Sequence, residues 1–203
     1  MRATDGGARL AIRVETYTDT GVETKVLSPM VARLDALPRV GEIDGETLGF
    51  LEAESLFAEA LVKGYRYLGG ANHSPALLRK KLIASGISPA LATEVVTELT
   101  HTGVLDEVES ATNEAEKCLA KLWGDRRILA ALRAKGYGAK ALSAVAARLA
   151  EENAVLRLAR LIEKRRMPLP KDEREAAKFA ASLVRYGYTG GQIKAAVASL
   201  GQK

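Results

Sequence analysis

Apolar residues alternate with polar ones near the start of the chain, then recur every three to four positions through the rest of it. Leu10, Ile12 and Val14 alternate with polar neighbours, and so do Val22 and, after a slip, Val26. Thr18-Asp19-Thr20-Gly21 lies between them as a turn signal. Residues 8–27 therefore predict a β-hairpin. An isolated hairpin is marginal in water, so this one must lean on another element. Residues 29–46 contain two prolines and two glycines. They predict a short helix over 30–37 and then a loop with a turn at Ile43-Asp44. From Thr47 onward the period is that of helices.

The helical part repeats. Residues 77–99, 127–149 and 178–200 superpose without a gap. Leu82, Leu132 and Leu183 coincide, as do Gly86, Gly136 and Gly187. Ile87, Tyr137 and Tyr188 follow the glycines, and Leu99, Leu149 and Leu200 close the windows. Agreement at this many positions and near-constant spacing marks an internal repeat. Each window reads as helix, glycine turn, helix. The glycine stands where the first helix must stop and the chain must take positive φ. Ser74, Ser88, Asp172 and Thr189 are candidate helix caps, with Pro75 and Pro89 at first helical positions. Another amphipathic helix precedes each window, near residues 53–68, 108–123 and 153–166.

The expected fold is all-α. Three tandem three-helix, helix–turn–helix-like repeats form an elongated array, with a small hairpin-containing extension over residues 1–52. The repeats are expected over 53–103, 104–152 and 153–203. Leu82, Leu99, Leu132, Leu149, Leu183 and Leu200 should be buried, along one seam through all three repeats.

Composition agrees and narrows the function. Aromatic residues are only 5% of the chain, which disfavours a sandwich or barrel. No apolar run is long enough for a membrane span. Residues 1–7 lack the apolar core of a secretory signal. The single cysteine, Cys118, cannot form an internal disulfide, and a cytosolic protein is expected. The net charge of +5 is uneven. Residues 1–52 hold 6 basic and 9 acidic side chains, whereas residues 153–203 hold 11 and 4. The last quarter thus suits a nucleic acid or an acidic protein surface.

Chemistry is sparse. His73 and His101 have no partner at ligand spacing, so no metal is expected. Cys118 has Lys117 and Lys121 nearby, but a small buried apolar role suits it better. No phosphate-binding loop is present, and neither a catalytic centre nor a cofactor is expected. A helix-turn-helix DNA reader is the alternative. Its reading helices would offer only Lys140, Ser143 and Arg148, or Gln192, Lys194 and Ser199, which is thin for base recognition. A helical scaffold for peptides is a third reading.

The ordered motifs of the repeats resemble those of the RecX family, regulators of the RecA recombinase. Thr102-Gly103-Val104-Leu105-Asp106-Glu107, followed by Ala111, is similar to the family's Gly-x-Leu-Asp-Asp-x-x-x-Ala segment. Leu132-Arg133-Ala134-Lys135-Gly136-Tyr137 and Leu183-Val184-Arg185-Tyr186-Gly187-Tyr188 resemble its helix–glycine elements. The likeness runs from about Ala53 to the C-terminus, and Val40-Gly41-Glu42-Ile43-Asp44 is similar to the start of longer members. Glu107 replaces the second acid of the motif, Glu109 replaces a usual aromatic, and Arg126-Arg127 replaces a basic-glycine step. The resemblance implies a non-enzymatic inhibitor, expected as a monomer. It would bind the groove of the RecA filament on single-stranded DNA and limit strand exchange and ATP hydrolysis, so regulating DNA repair and recombination.

The basic residues suggest where contact would lie. Lys164-Arg165-Arg166 ends a helix, where one or two cations would satisfy the macrodipole. Three adjacent cations point in different directions and exceed that need. Lys171 and Arg174 follow, and Arg157, Arg160, Lys178 and Arg185 lie on the flanking helices. With Arg126 and Arg127 from the second repeat, these are expected to face the RecA–DNA groove. The plainer alternative is a solvated helix end.

Overall fold

The structure is a computed structural model that describes residues 2–4 and 9–201. Nine helices and one small antiparallel sheet lie among the described residues. The chain divides into two compact units. One takes in the chain up to residue 70 and residues 78–102; the other takes in residues 71–77 and the chain from 103 onward.

In the first unit, β2 (Arg9–Thr18) and β3 (Gly21–Leu27) form the expected hairpin. The register runs from Thr18↔Gly21 beside the turn to Ile12↔Leu27. A further strand, β1 (Arg2–Thr4), pairs antiparallel with the start of β2. Leu10, Ile12 and Leu27 are buried against Leu51 of helix α1 (Gly45–Gly70). This is the support that the hairpin requires. Val22 and Val26 need no slip. They stand four residues apart on one strand, so both share the outer face with Tyr17, and all three are exposed.

Two expected helix bounds shift. The Asp44 carboxylate accepts the Thr47 N–H at 2.7 Å, which starts α1 well before residue 53. The helix expected over 30–37 is only a 3-10 turn, Val31–Arg33. The Arg33 guanidinium is drawn to Glu54 at 2.5 Å and Glu94 at 2.7 Å, 3.8 Å from the Phe57 ring centroid. Pro38 also opposes a helix over the residues just before it. These ties fix the extension to α1 and to α3 (Pro89–His101). Between them runs α2 (Pro75–Ala84). A Cβ on Gly64 would lie 2.8 Å from Leu99 Cδ1, so α1 and α3 pack closely there.

The second unit holds α4 (Glu107–Ala120), α5 (Asp125–Ala134), α6 (Ala139–Ala150), α7 (Ala154–Lys164), α8 (Glu173–Arg185) and α9 (Gly190–Leu200). The repeated glycines behave as expected. Gly86, Gly136 and Gly187 have φ of +92°, +78° and +94°. The next residue's N–H returns to the aligned leucine: Ile87 to Leu82, Tyr137 to Leu132 and Tyr188 to Leu183, at 3.2–3.3 Å. This Schellman geometry explains why glycine, a large apolar residue and a leucine recur together. Ser74, Ser88, Asp172 and Thr189 all cap as expected, Thr189 in a capping box with Gln192.

Five of the six leucines are buried, whereas Leu200 is half-buried because it is the last residue of α9. Within the second unit the expected seam resolves into two separate cores. One gathers Ala115, Ile128, Leu132, Tyr137, Val145 and Leu149; another gathers Leu158, Leu161, Leu183, Tyr188 and Ile193. Two leading helices stop short of their expected ends. Leu122 and Arg166 take left-handed φ of 58° and 49° and turn the chain. The Trp123 and Met167 amides then close back on Cys118 and Ile162 at 3.2 and 3.0 Å.

Candidate functional site

The joint between the second and third repeats builds the surface of interest, all of it within the second unit. The Gly124 N–H donates to the Tyr186 carbonyl at 2.7 Å, and the Arg126 N–H donates to the Gly187 carbonyl at 3.3 Å. A Cβ on Gly187 would lie 2.5 Å from Arg127 Cβ and N. The backbone at the start of α5 thus lies directly on the α8–α9 turn, which only glycine permits.

That contact sets out a ladder of rings and guanidinium groups. Arg127 lies 3.9 Å from the Trp123 ring centroid and 5.5 Å from the Tyr186 ring. Arg165 lies 5.5 Å from the same Tyr186 ring. Arginines from two repeats therefore meet at one tyrosine. Such stacking costs little hydration and holds the guanidinium planes with donors still available. Arg166 adds a further cation in a left-handed conformation that costs an ordinary residue about 1–2 kcal/mol.

Arg126, Arg160, Lys164, Arg165, Arg166, Lys171, Arg174, Lys178 and Arg185 are exposed, and Arg127 is half-buried by its stacking. Contacts bring Arg127 and Arg165 together; for the other exposed cations they establish exposure alone. Arg157 departs from the expectation. It is only 7% exposed, and its ion pair is with Asp125 at the start of α5. It shares the buried face of α7 with Leu158, Leu161 and Ile162, so it cannot present its charge to a partner. Its Nε and Nη1 are buried, and among the described residues neither has a hydrogen-bond partner by geometry. Beside it, the Tyr188 hydroxyl donates to the Leu122 carbonyl at 2.9 Å. Burial pushes the Tyr188 phenol up, and the Arg157 guanidinium opposes that shift. These residues tie the two repeats together beneath the ladder.

Periodicity could have found Arg157, which stands four residues before a core leucine. The approach of Arg127 to Tyr186 carried no such signal, because the two lie far apart in sequence; only its contact with Trp123, four residues before it, is local.

The remaining chemistry is structural. Cys118 is buried in the core of the second repeat, and burial pushes its thiol up. His73 is buried with Nδ1 2.7 Å from the Ala71 carbonyl, and its own carbonyl accepts the Ser110 hydroxyl at 3.0 Å. Among the described residues no group of three His, Cys, Asp or Glu side chains could hold a metal ion. No helix among them is long and apolar enough to cross a membrane. The α6 helix is poorly suited to read DNA. Glu107 occupies its N-terminus, accepting the Gly138 N–H at 2.7 Å, and Arg148 is held by Glu152 at 2.9 Å and Glu116 at 3.5 Å. A carboxylate there competes with a phosphate for the helix end.

No family model matches the chain, and no curated protein does. Solved structures do match. A regulatory protein RecX superposes with a TM-score of 0.72 and 16% identity, over 92% of this chain and 98% of that one. RecX from Lactobacillus salivarius superposes with a TM-score of 0.61 and 18% identity, over 72% of this chain and 99% of that one. These superpositions, over nearly the whole length of both structures, give this chain the fold of the RecX regulatory proteins.

Proposed function

We propose that this protein is a non-enzymatic regulator of the RecA recombinase that binds the groove of the RecA filament on single-stranded DNA. In this reading it restrains strand exchange and ATP hydrolysis by occupancy, with no bond made or broken. The observation that carries the proposal is the ladder of Trp123, Arg127, Tyr186 and Arg165, on a fold shared with RecX proteins. It supports contact with a nucleoprotein because its stacked guanidinium groups can meet phosphates and carboxylates alike. The exposed cations of the third repeat, Arg160, Lys164, Arg165, Arg166, Lys171, Arg174, Lys178 and Arg185, surround that contact with positive charge in this reading, joined by Arg126. Arg157 supports the joint from within.

The test is the rate of RecA ATP hydrolysis on single-stranded DNA, with and without this protein. A dose-dependent fall is expected, with no turnover by the protein itself. An unchanged rate at saturating concentration would count against the proposal.

A further inference from the structure

Among the described residues, the N-terminal sheet leaves one edge unpaired beside a groove. β1 covers only the first residues of β2, pairing Arg2–Thr4 with residues 9–11. Beyond that point, among the described residues, β2 has a strand neighbour on one side alone. A groove of about 760 Å³ lies there, lined by the consecutive residues 12–17, by residues 38–43 and by Leu48. No β3 residue lines it. A groove over a sheet face would be lined by alternate residues, whereas consecutive ones mark an edge. It is therefore the β2 edge away from β3, walled on its far side by residues 38–43.

The backbone parity is fixed. The Leu10 N–H donates to the Pro29 carbonyl at 3.0 Å, on the β3 side. Even-numbered backbone groups of β2 face β3, and those of Arg13, Glu15 and Tyr17 face the groove. An edge of this kind accepts another strand through main-chain hydrogen bonds.

The side chains define what such a strand carries. Ile12 and Val14 lie on the inner face toward Leu48, and Arg13, Glu15 and Tyr17 lie on the outer face. A strand antiparallel to β2 would meet Tyr17, then Glu15, then Arg13. Charge complementarity between neighbouring strands calls for a base opposite Glu15 and an acid opposite Arg13. A second copy of this chain fits less well. Its β2 would bring β3 with it, into the space that residues 38–43 hold.

We propose that the β2 edge is a strand-accepting site for a single extended peptide segment of a partner protein. The segment alternates apolar inner residues with outer residues in the order aromatic, base, acid. This site is independent of the arginine ladder.

The probe is the synthetic peptide Thr-Tyr-Val-Lys-Val-Glu-Ile, acetylated and amidated, labelled for fluorescence anisotropy with the full-length protein. Saturable binding is expected, with slowed hydrogen exchange at the Arg13, Glu15 and Tyr17 amides. Glu15→Pro removes an outward N–H and leaves the β2–β3 bonds intact. It should weaken binding by up to about tenfold, because the edge hydrogen bond from the Glu15 N–H is lost. Arg13→Glu should weaken binding, and a peptide with lysine in place of its glutamate should restore it. No binding at millimolar peptide overturns the proposal, and so does binding that Glu15→Pro leaves unchanged. A dimer at assay concentration that Glu15→Pro dissolves would assign the edge to a second copy and also overturn it.

Discussion

Replacing Gly187 by alanine probes the joint that carries the ladder. Gly187 has φ +94°, and a Cβ built on it lies 2.5 Å from Arg127 Cβ and N and 2.7 Å from the Gly124 carbonyl oxygen. Two costs add. A left-handed non-glycine residue costs about 1–2 kcal/mol. The overlap also drives the first turn of α5 away, a displacement that costs about 1–3 kcal/mol in overpacked interiors. Gly103, in the same unit, separates the two. Its φ is +73° and a Cβ there meets nothing within 4 Å, so Gly103→Ala carries the backbone cost alone. The expected losses are about 1–2 kcal/mol for Gly103→Ala and roughly 2–5 kcal/mol for Gly187→Ala. Trp123 is the chain's single tryptophan and stacks on Arg127 beside the joint. Its fluorescence through a urea titration therefore reports on this unit. Equal losses for the two variants would refute the close approach of α5 to the α8–α9 turn.

Other outcomes follow from the same geometry. Leu132→Ala and Leu183→Ala remove fully buried side chains and should each cost about 2–5 kcal/mol in urea unfolding; Leu200→Ala, half-buried, should cost clearly less than either. Asp125→Asn leaves Arg157 buried and unpaired, whereas Arg157→Met leaves Asp125, with its side chain 31% exposed, able to rehydrate. Asp125→Asn should therefore be the more destabilising, by urea midpoint, and the reverse order would contradict a buried Arg157. Tyr137 and Tyr188 have phenols raised by burial. A raised folded-state pKa gives stability that is present below the unfolded value, about 10, and lost as pH rises through the folded one. Urea midpoints measured from pH 8 to 11 should fall, and the Tyr188→Phe protein should lose less over that range than the parent.

The helical periodicity made the repeats legible because each glycine, its following apolar residue and its leucine serve one turn. The caps were legible for a similar reason: Ser88 and Thr189 act on amides three residues away. Longer-range features were not. Strand β1 depends on pairing with β2, and Arg2–Thr4 is too short to show a period. The early start of α1 turns on a single aspartate. Val22 and Val26 look like core residues by type, yet the register puts both on the open face of the sheet. The cations of the third repeat were legible as charge. Their sorting was legible only in part: the helical period places Arg157 with the core residues of its helix, whereas the approach of Arg127 to Tyr186 arises only where the second and third repeats meet.

Binding of the Arg165→Glu, Arg166→Glu double variant to RecA filaments on single-stranded DNA, followed across a salt titration, tests the central claim most directly. Both residues are exposed and lie at the end of α7, so helical content should stay unchanged. If these cations meet phosphates, the variant should bind more weakly at physiological salt. The slope of log affinity against log salt should flatten by about 0.7 for each single-strand phosphate that the variant no longer neutralises. Parental affinity and an unchanged slope would contradict the account and leave the basic run a solvated helix end.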